Sequence, residues 1–131
     1  MKKLAINVNP TISLNHFEDI IVTALEGGSN YWYELDVDEF RKDLELEDGE
    51  PLSTRIAKSL FENPNFKMNV YDIEEPGEIL GTVTQKSMLT AIETAYYDYN
   101  HIYNDMMEGT GDADTADMLF QLATMGKLVF G

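Results

Sequence analysis

The sequence predicts an α+β domain in which a small, mostly antiparallel sheet packs with about four helices. Three observations lead to this prediction. Of the 131 residues 44% are hydrophobic, which is enough for one folded core. Apolar residues recur at helical spacing in some segments and alternate in others. The length fits a single domain over residues 1–131.

The composition excludes several classes of protein. The chain has no cysteine, so it forms neither a disulfide scaffold nor a thiolate metal site. Its 24 acidic and 9 basic residues give a charge of −15, which argues against direct nucleic-acid binding. Asn7, Asn9 and Pro10 interrupt the apolar residues near the start, which argues against a secretory signal, and no stretch is long enough for a membrane span. We therefore expect a cytoplasmic protein without cofactor or membrane contact.

A strand and a helix are predicted first. Apolar and more polar residues alternate over residues 3–9, which indicates a short strand. Asn15 is placed as the N-cap of the helix and Glu18 as the acid of a capping box. The helix ends at Gly27 and Gly28, with Gly27 as a left-handed cap.

A second strand, a loop and a short helix follow. Residues 30–37 alternate and are rich in aromatic side chains, which is typical of a strand. Residues 38–51 are the most acidic stretch and are expected to form a loop, in which a helical turn is also compatible with the sequence. Residues 54–63 follow helical spacing, with Ser53 as N-cap and Pro64 beyond the end.

A hairpin and one long helix come next. Residues 66–73 and 78–84 are the strands of the hairpin, and Glu75-Pro76-Gly77 supplies its turn. Residues 87–107 are predicted as one helix, because large apolar residues recur at steps of three and four along a single face: Leu89, Ile92, Tyr96, Tyr99, Tyr103 and Met106.

The last helix has a cap at each end. Asp112 is its predicted N-cap and Gly126 its end. Residues 128–130 are either a terminal strand or an apolar tail. Four residues of the helix are predicted to face inward: Ala116, Leu119, Phe120 and Ala123.

Asp112, Asp114 and Asp117 are the candidate metal ligands. Carboxylate oxygens suit calcium or magnesium, although the run lacks the loop length and closing glutamate of an EF-hand. The same residues also fit a helix start, where aspartate is favoured by unpaired amides and by the helix dipole. Both interpretations are open at the level of sequence.

Two further patterns relate to catalysis. His101 lies three residues after Asp98 and four before Asp105, so one helix face would hold a histidine and two carboxylates. The alternative is an exposed histidine on an acidic surface, and His16 at a helix start is interpreted in the same way. Ser29 follows two glycines but has no nucleophile elbow around it.

Trp32 also has two interpretations. In a strand its side chain points away from those of Tyr31 and Tyr33. Either one face of the sheet is open and an exposed aromatic residue anchors an interface, or helices cover both faces.

Acidic residues are concentrated in one segment. Residues 31–52 contain nine acidic and two basic residues, nearly half of the excess negative charge. Such a segment can imitate a nucleic-acid backbone, steer a basic protein partner toward the domain, or serve solubility alone. The candidate binding residues are Tyr31, Trp32, Glu34, Asp36, Asp38 and Glu39.

Two stretches resemble known sequences. Residues 23–32 (TALEGGSNYW) and residues 112–131, which begin DADTAD and end GKLVFG, resemble segments of small uncharacterised proteins encoded by bacteriophages and prophages. The resemblance implies a phage or prophage origin and expression in the bacterial cytoplasm. It implies no catalytic residues, because no activity is assigned to that group.

These observations predict a non-enzymatic interaction module that binds a basic protein partner through its acidic face and Trp32. One alternative is a small carboxylate-based enzyme or metal-binding domain. Another is a structural or assembly accessory protein.

Overall fold

The computed structural model describes residues 1–6, 8, 10–44 and 49–131. In these residues the chain forms the predicted α+β fold, with five α-helices and a three-stranded antiparallel sheet. None of the described helices is both long and apolar enough to cross a bilayer. The helices are α1 (Leu14–Thr23), α2 (Leu52–Glu62), α3 (Gln85–Asp98), α4 (Asn100–Glu108) and α5 (Ala113–Met125). The strands are β1 (Tyr33–Glu34), β2 (Lys67–Asp72) and β3 (Ile79–Thr84).

The predicted hairpin is confirmed and forms most of the sheet. β2 lies in the middle, paired with β1 on one side and with β3 on the other. Met68, Val70 and Val83 are buried, so this face of the sheet belongs to the core. α5 packs on it at Gly81, where the carbonyl oxygen of Thr124 comes so close that a side chain on residue 81 has no room.

The strand predicted over residues 3–9 is wrong for the part of it that the structure describes. Residues 3–6 and 8 form no strand, and Leu4, Ile6 and Val8 are 95%, 83% and 70% exposed. An alternating pattern yields a strand only where a second strand supplies hydrogen-bond partners, and none pairs with these described residues. Asn7 and Asn9 lie outside the described residues.

α1 differs from its prediction at both ends. Its N-cap is Ser13, whose Oγ accepts a hydrogen bond from the amide of His16 at 3.3 Å, so the capping assigned to Asn15 and Glu18 is wrong. Gly27 is not a left-handed cap, because the helix continues as a π-helical turn over Ala24–Gly28.

The second predicted strand is much shorter than residues 30–37. A turn closed by a hydrogen bond from the Trp32 amide to the Ser29 carbonyl precedes β1. A 3-10 turn (Val37–Glu39) follows it, with Asp36 as N-cap, and a second 3-10 turn spans Arg41–Asp43. The expected acidic loop with helical turns is therefore present, and residues 45–48 of it lie outside the described residues.

α2 begins two residues earlier than predicted, with Pro51 in the N-cap position. Ser53 therefore lies inside the helix instead of capping it. Its Oγ donates a hydrogen bond to Oε1 of Glu26 at 2.7 Å, which ties α2 to the π-helical turn after α1.

The long helix predicted over residues 87–107 is two helices. Non-helical backbone at Tyr99 (φ −138°, ψ 56°) separates α3 from α4. The predicted stripe is also wrong in α3, because Leu89 and Tyr96 are exposed. The buried face of α3 instead consists of Met88, Ala91, Ile92 and Ala95, in which two alanines permit close packing against α5.

α5 is the central helix of the domain, and both of its predicted caps are confirmed. Asp112 accepts a hydrogen bond from the Thr115 amide at 3.1 Å, and Gly126 is a left-handed C-cap. Nine of its 13 residues are buried, including the four predicted to face inward. Residues 128–130 form an apolar tail and no strand.

The close contact between Gly81 and Thr124 predicts that a methyl group added at residue 81 destabilises the protein. In a Gly81→Ala variant the new Cβ would lie 1.8 Å from the Thr124 carbonyl oxygen, so β3 and α5 must move apart. We expect the free energy of unfolding to fall by about 2–3 kcal/mol, measured by urea denaturation followed by circular dichroism. Gly27→Ala is the matched control, because nothing lies within 4 Å of its added Cβ. Equal losses in the two variants would contradict the role of this contact.

Candidate functional site

An open groove lies on the face of the sheet that points away from the core. Tyr71 pairs with Ile79 on β3 and with Glu34 on β1, so these three side chains share one face. Ile79 is 52% exposed, and with Tyr71 it supplies an apolar floor. The sheet thus buries one face and leaves the other available for contact.

The walls of the groove come from two loops. Leu35, Val37 and the acidic residues between and beside them form one wall, and Pro76 and Gly77 of the hairpin turn form the other. The groove has a volume of about 640 Å³. We call it the acidic groove, lined by Glu34, Leu35, Asp36, Val37, Asp38, Arg41, Tyr71, Pro76, Gly77 and Ile79.

Negative charge dominates one wall of the acidic groove. Glu34, Asp36 and Asp38 are exposed carboxylates that line it. Arg41, also in the lining, pairs with Asp38 through Nη2 and Oδ1 at 3.1 Å. Arg41 therefore offsets the charge of Asp38 and leaves Glu34 and Asp36 to face a ligand.

Glu39 stands behind the same wall. Its Oε2 accepts a hydrogen bond from the Tyr71 hydroxyl at 2.6 Å, which connects the first 3-10 turn to the floor. This hydrogen bond is the main reason that the pKa of Tyr71 is raised, and the charges of Glu39 and Asp36 act in the same direction.

The hairpin turn adds further carboxylates beside the opposite wall. A hydrogen bond with Glu78 raises the pKa of Glu75, and the negative charges of Glu78 and Asp72 raise it further. A carboxyl group that retains its proton more strongly because of neighbouring carboxylates indicates a negative local potential. Acidic side chains therefore flank the floor on both sides.

The structure separates the predicted binding residues into two groups. Glu34, Asp36 and Asp38 line the acidic groove, and Glu39 supports it. Tyr31 and Trp32 lie elsewhere. Trp32 is 2% exposed and stacks on Phe130 with ring centroids 5.3 Å apart, so its interpretation as an exposed anchor is wrong. The alternative in which helices cover both faces is wrong as well, because one face of the sheet is open, and Trp32 is buried in the turn before β1 and not in a strand.

A buried carboxylate explains the position of Trp32. Oδ1 of Asp117 accepts hydrogen bonds from Ser29 Oγ at 2.8 Å and Trp32 Nε1 at 2.7 Å. Oδ2 accepts from Tyr31 Oη at 2.6 Å and from Gln121 Nε2 at 3.1 Å. We call these five residues the Asp117 network.

The Asp117 network also holds the C-terminal tail. Oε1 of Gln121 accepts hydrogen bonds from the amides of Val129 and Phe130, both at 2.9 Å. This fixes Phe130 against Trp32. The pattern of α5 contains one indication of the network, since Asp117 and Gln121 are four residues apart and next to the buried Ala116 and Phe120.

Tyr31 and Tyr33 both have raised pKa values. Burial raises the pKa of Tyr31 to about 12, and the hydrogen bond to Asp117 and its charge add to the effect. Burial also raises the pKa of Tyr33 to about 12, with a contribution from the charge of Glu26.

The three candidate metal ligands do not converge. Asp112 caps α5, and hydrogen bonds inside the protein occupy both oxygens of Asp117. Among the described residues no group of three His, Cys, Asp or Glu side chains is placed to hold a metal ion.

The residues considered for catalysis are likewise dispersed. Asp98 ends α3 while His101 lies in α4, so the single helix face predicted for them and Asp105 does not form. Nδ1 of His16 lies 3.1 Å from the hydroxyl of Ser13. Ser29 is fully buried, and its hydroxyl donates a hydrogen bond to Asp117.

Comparison with protein-family models, curated proteins and solved structures finds no significant match.

Because several side chains donate to Asp117, removing its carboxylate is predicted to lower the stability of the protein strongly. Asp117→Ala leaves the buried donors of Ser29 and Trp32 without an acceptor, and each buried unpaired donor costs about 1–3 kcal/mol. We expect the free energy of unfolding to fall by at least about 3 kcal/mol, measured by urea denaturation. Asp114→Ala, in the exposed first turn of α5, is the control and should lose less than about 1 kcal/mol. Similar losses in both variants would contradict the network.

The raised tyrosine pKa values predict a stability loss at high pH. A raised folded-state pKa means that the stabilisation is complete below the unfolded pKa of 10.0 and is lost as the pH rises through about 12. We expect the urea midpoint to fall over this interval, and to fall less steeply in a Tyr31→Phe variant. An unchanged slope in Tyr31→Phe would show that Tyr31 does not contribute.

Proposed function

We propose that the protein is an interaction module that binds a basic, extended segment of a protein partner in the acidic groove. The observation that carries the proposal is the combination of an apolar floor, Tyr71 and Ile79, with a wall of exposed carboxylates, Glu34 and Asp36.

An extended chain fits this combination for a geometric reason. Its side chains alternate between two faces, so apolar residues can contact the floor while lysine or arginine residues between them reach the carboxylates. The net charge of −15 supports the same class of partner, because it attracts a basic partner over a long range and raises the association rate.

The alternatives gain no comparable support. An enzyme or metal site built on Asp112 and Asp117 would compete with the hydrogen bonds that these residues already make. In the phage or prophage setting that the resemblance implies, the partner would be a protein of the bacterial host or of the phage.

A peptide that alternates lysine and valine tests the proposal. We expect it to bind the full chain in fluorescence anisotropy and to bind more weakly at high salt, and we expect a peptide in which glutamate replaces lysine not to bind. A Glu34→Gln, Asp36→Asn double variant should weaken binding by about 3- to 10-fold, at roughly 0.3–0.7 kcal/mol for each surface charge.

The matched control is Glu93→Gln with Asp98→Asn. These two residues are exposed on α3, outside the acidic groove, and the net charge changes equally. Undiminished affinity in the control supports the groove as the site. An equal loss in both double variants would show that only net charge matters and would overturn the proposal.

A further inference from the structure

Residues 1–6 and 8 are exposed, and they form a basic and apolar segment on an otherwise acidic protein. Lys2 and Lys3 are two of only nine basic residues in the chain. Leu4, Ile6 and Val8 follow in alternation and are 95%, 83% and 70% exposed. Exposed apolar residues that lie close together are typical of a surface that contacts a partner.

The composition of this segment matches the ligand proposed for the acidic groove. An extended strand places Leu4, Ile6 and Val8 on one face, which suits the floor of Tyr71 and Ile79. Lys2 and Lys3 at one end of the strand carry the charges that suit an acidic wall. The chain therefore contains both a groove and a segment of complementary charge and pattern.

We propose that the acidic groove of one copy of this chain binds residues 1–8 of a second copy. This inference rests on the proposed function and names its partner. The exposure of Leu4 and Ile6 shows that the segment does not fill the groove of its own chain. Reciprocal exchange of the two segments uses each groove once and gives a closed, two-fold symmetric dimer.

Light scattering of the full chain over a concentration series tests this dimer. We expect a monomer–dimer equilibrium that shifts toward monomer at high salt, because the contact includes charge pairs. Lys2→Glu with Lys3→Glu should raise the dissociation constant by at least about tenfold. Lys86→Glu with Lys127→Glu is the matched control, since both lysines are exposed and the charge change is the same.

A charge exchange makes the test specific. A chain with Glu34→Lys and Asp36→Lys should be monomeric, and so should the Lys2→Glu, Lys3→Glu chain. When the two are mixed, each segment again meets a groove of opposite charge, and we expect a heterodimer. Formation of this heterodimer supports the proposal, because two variants that had merely misfolded would not regain binding when they are mixed.

The other outcomes separate this inference from the proposed function. A chain that binds the lysine–valine peptide but stays monomeric at every concentration overturns the inference alone. A dimer that is unaffected by Lys2→Glu with Lys3→Glu also overturns it. A monomer whose peptide affinity increases in that variant would place the segment in its own groove and overturn the assignment to a second copy. Failure of the peptide to bind, together with a monomeric chain, overturns both.

Discussion

The carboxylate of Asp117 is the interaction on which the arrangement of the domain depends. A buried charge without a cation is tolerated only when hydrogen-bond donors surround it, and four side chains donate to this one. The donors come from the turn before β1 and from α5 itself. Through Gln121 the same network extends to the tail, so three separate parts of the chain are fixed at one point.

The acidic groove lies directly after this anchor along the chain. The Trp32 carbonyl oxygen accepts a hydrogen bond from the Ile73 amide at 3.1 Å, and the next two residues, Tyr33 and Glu34, pair with β2. The chain then leaves the sheet through the 3-10 turn at Val37–Glu39, which brings acidic side chains beside the open face of the hairpin. The short length of β1 is therefore what converts an acidic stretch of sequence into the wall of a groove.

The carboxylates of this protein serve two different physical purposes. Asp112 and Asp117 are engaged in capping and in buried hydrogen bonds, and they stabilise the fold. Glu34 and Asp36 are exposed beside apolar side chains, where their charge can act on another molecule, although Asp36 also caps the first 3-10 turn. The proposed binding of a basic segment, including that of a second copy, uses these exposed carboxylates together with the apolar floor of Tyr71 and Ile79.

The sequence by itself determined the features that rest on local pattern: the α+β class, the hairpin with its turn at Pro76, the caps and inward face of α5, and the acidity of residues 31–52. Alternation and helical spacing report contacts between near neighbours along the chain, so they described these elements well. They failed for residues 3–6 and 8, with which no described strand pairs. Only the tertiary structure decided the burial of Trp32, the break at Tyr99 and the place of the acidic groove. The physical reason is distance along the chain, since Ser29, Tyr31 and Trp32 are 85 to 88 residues from Asp117 and no local pattern connects them.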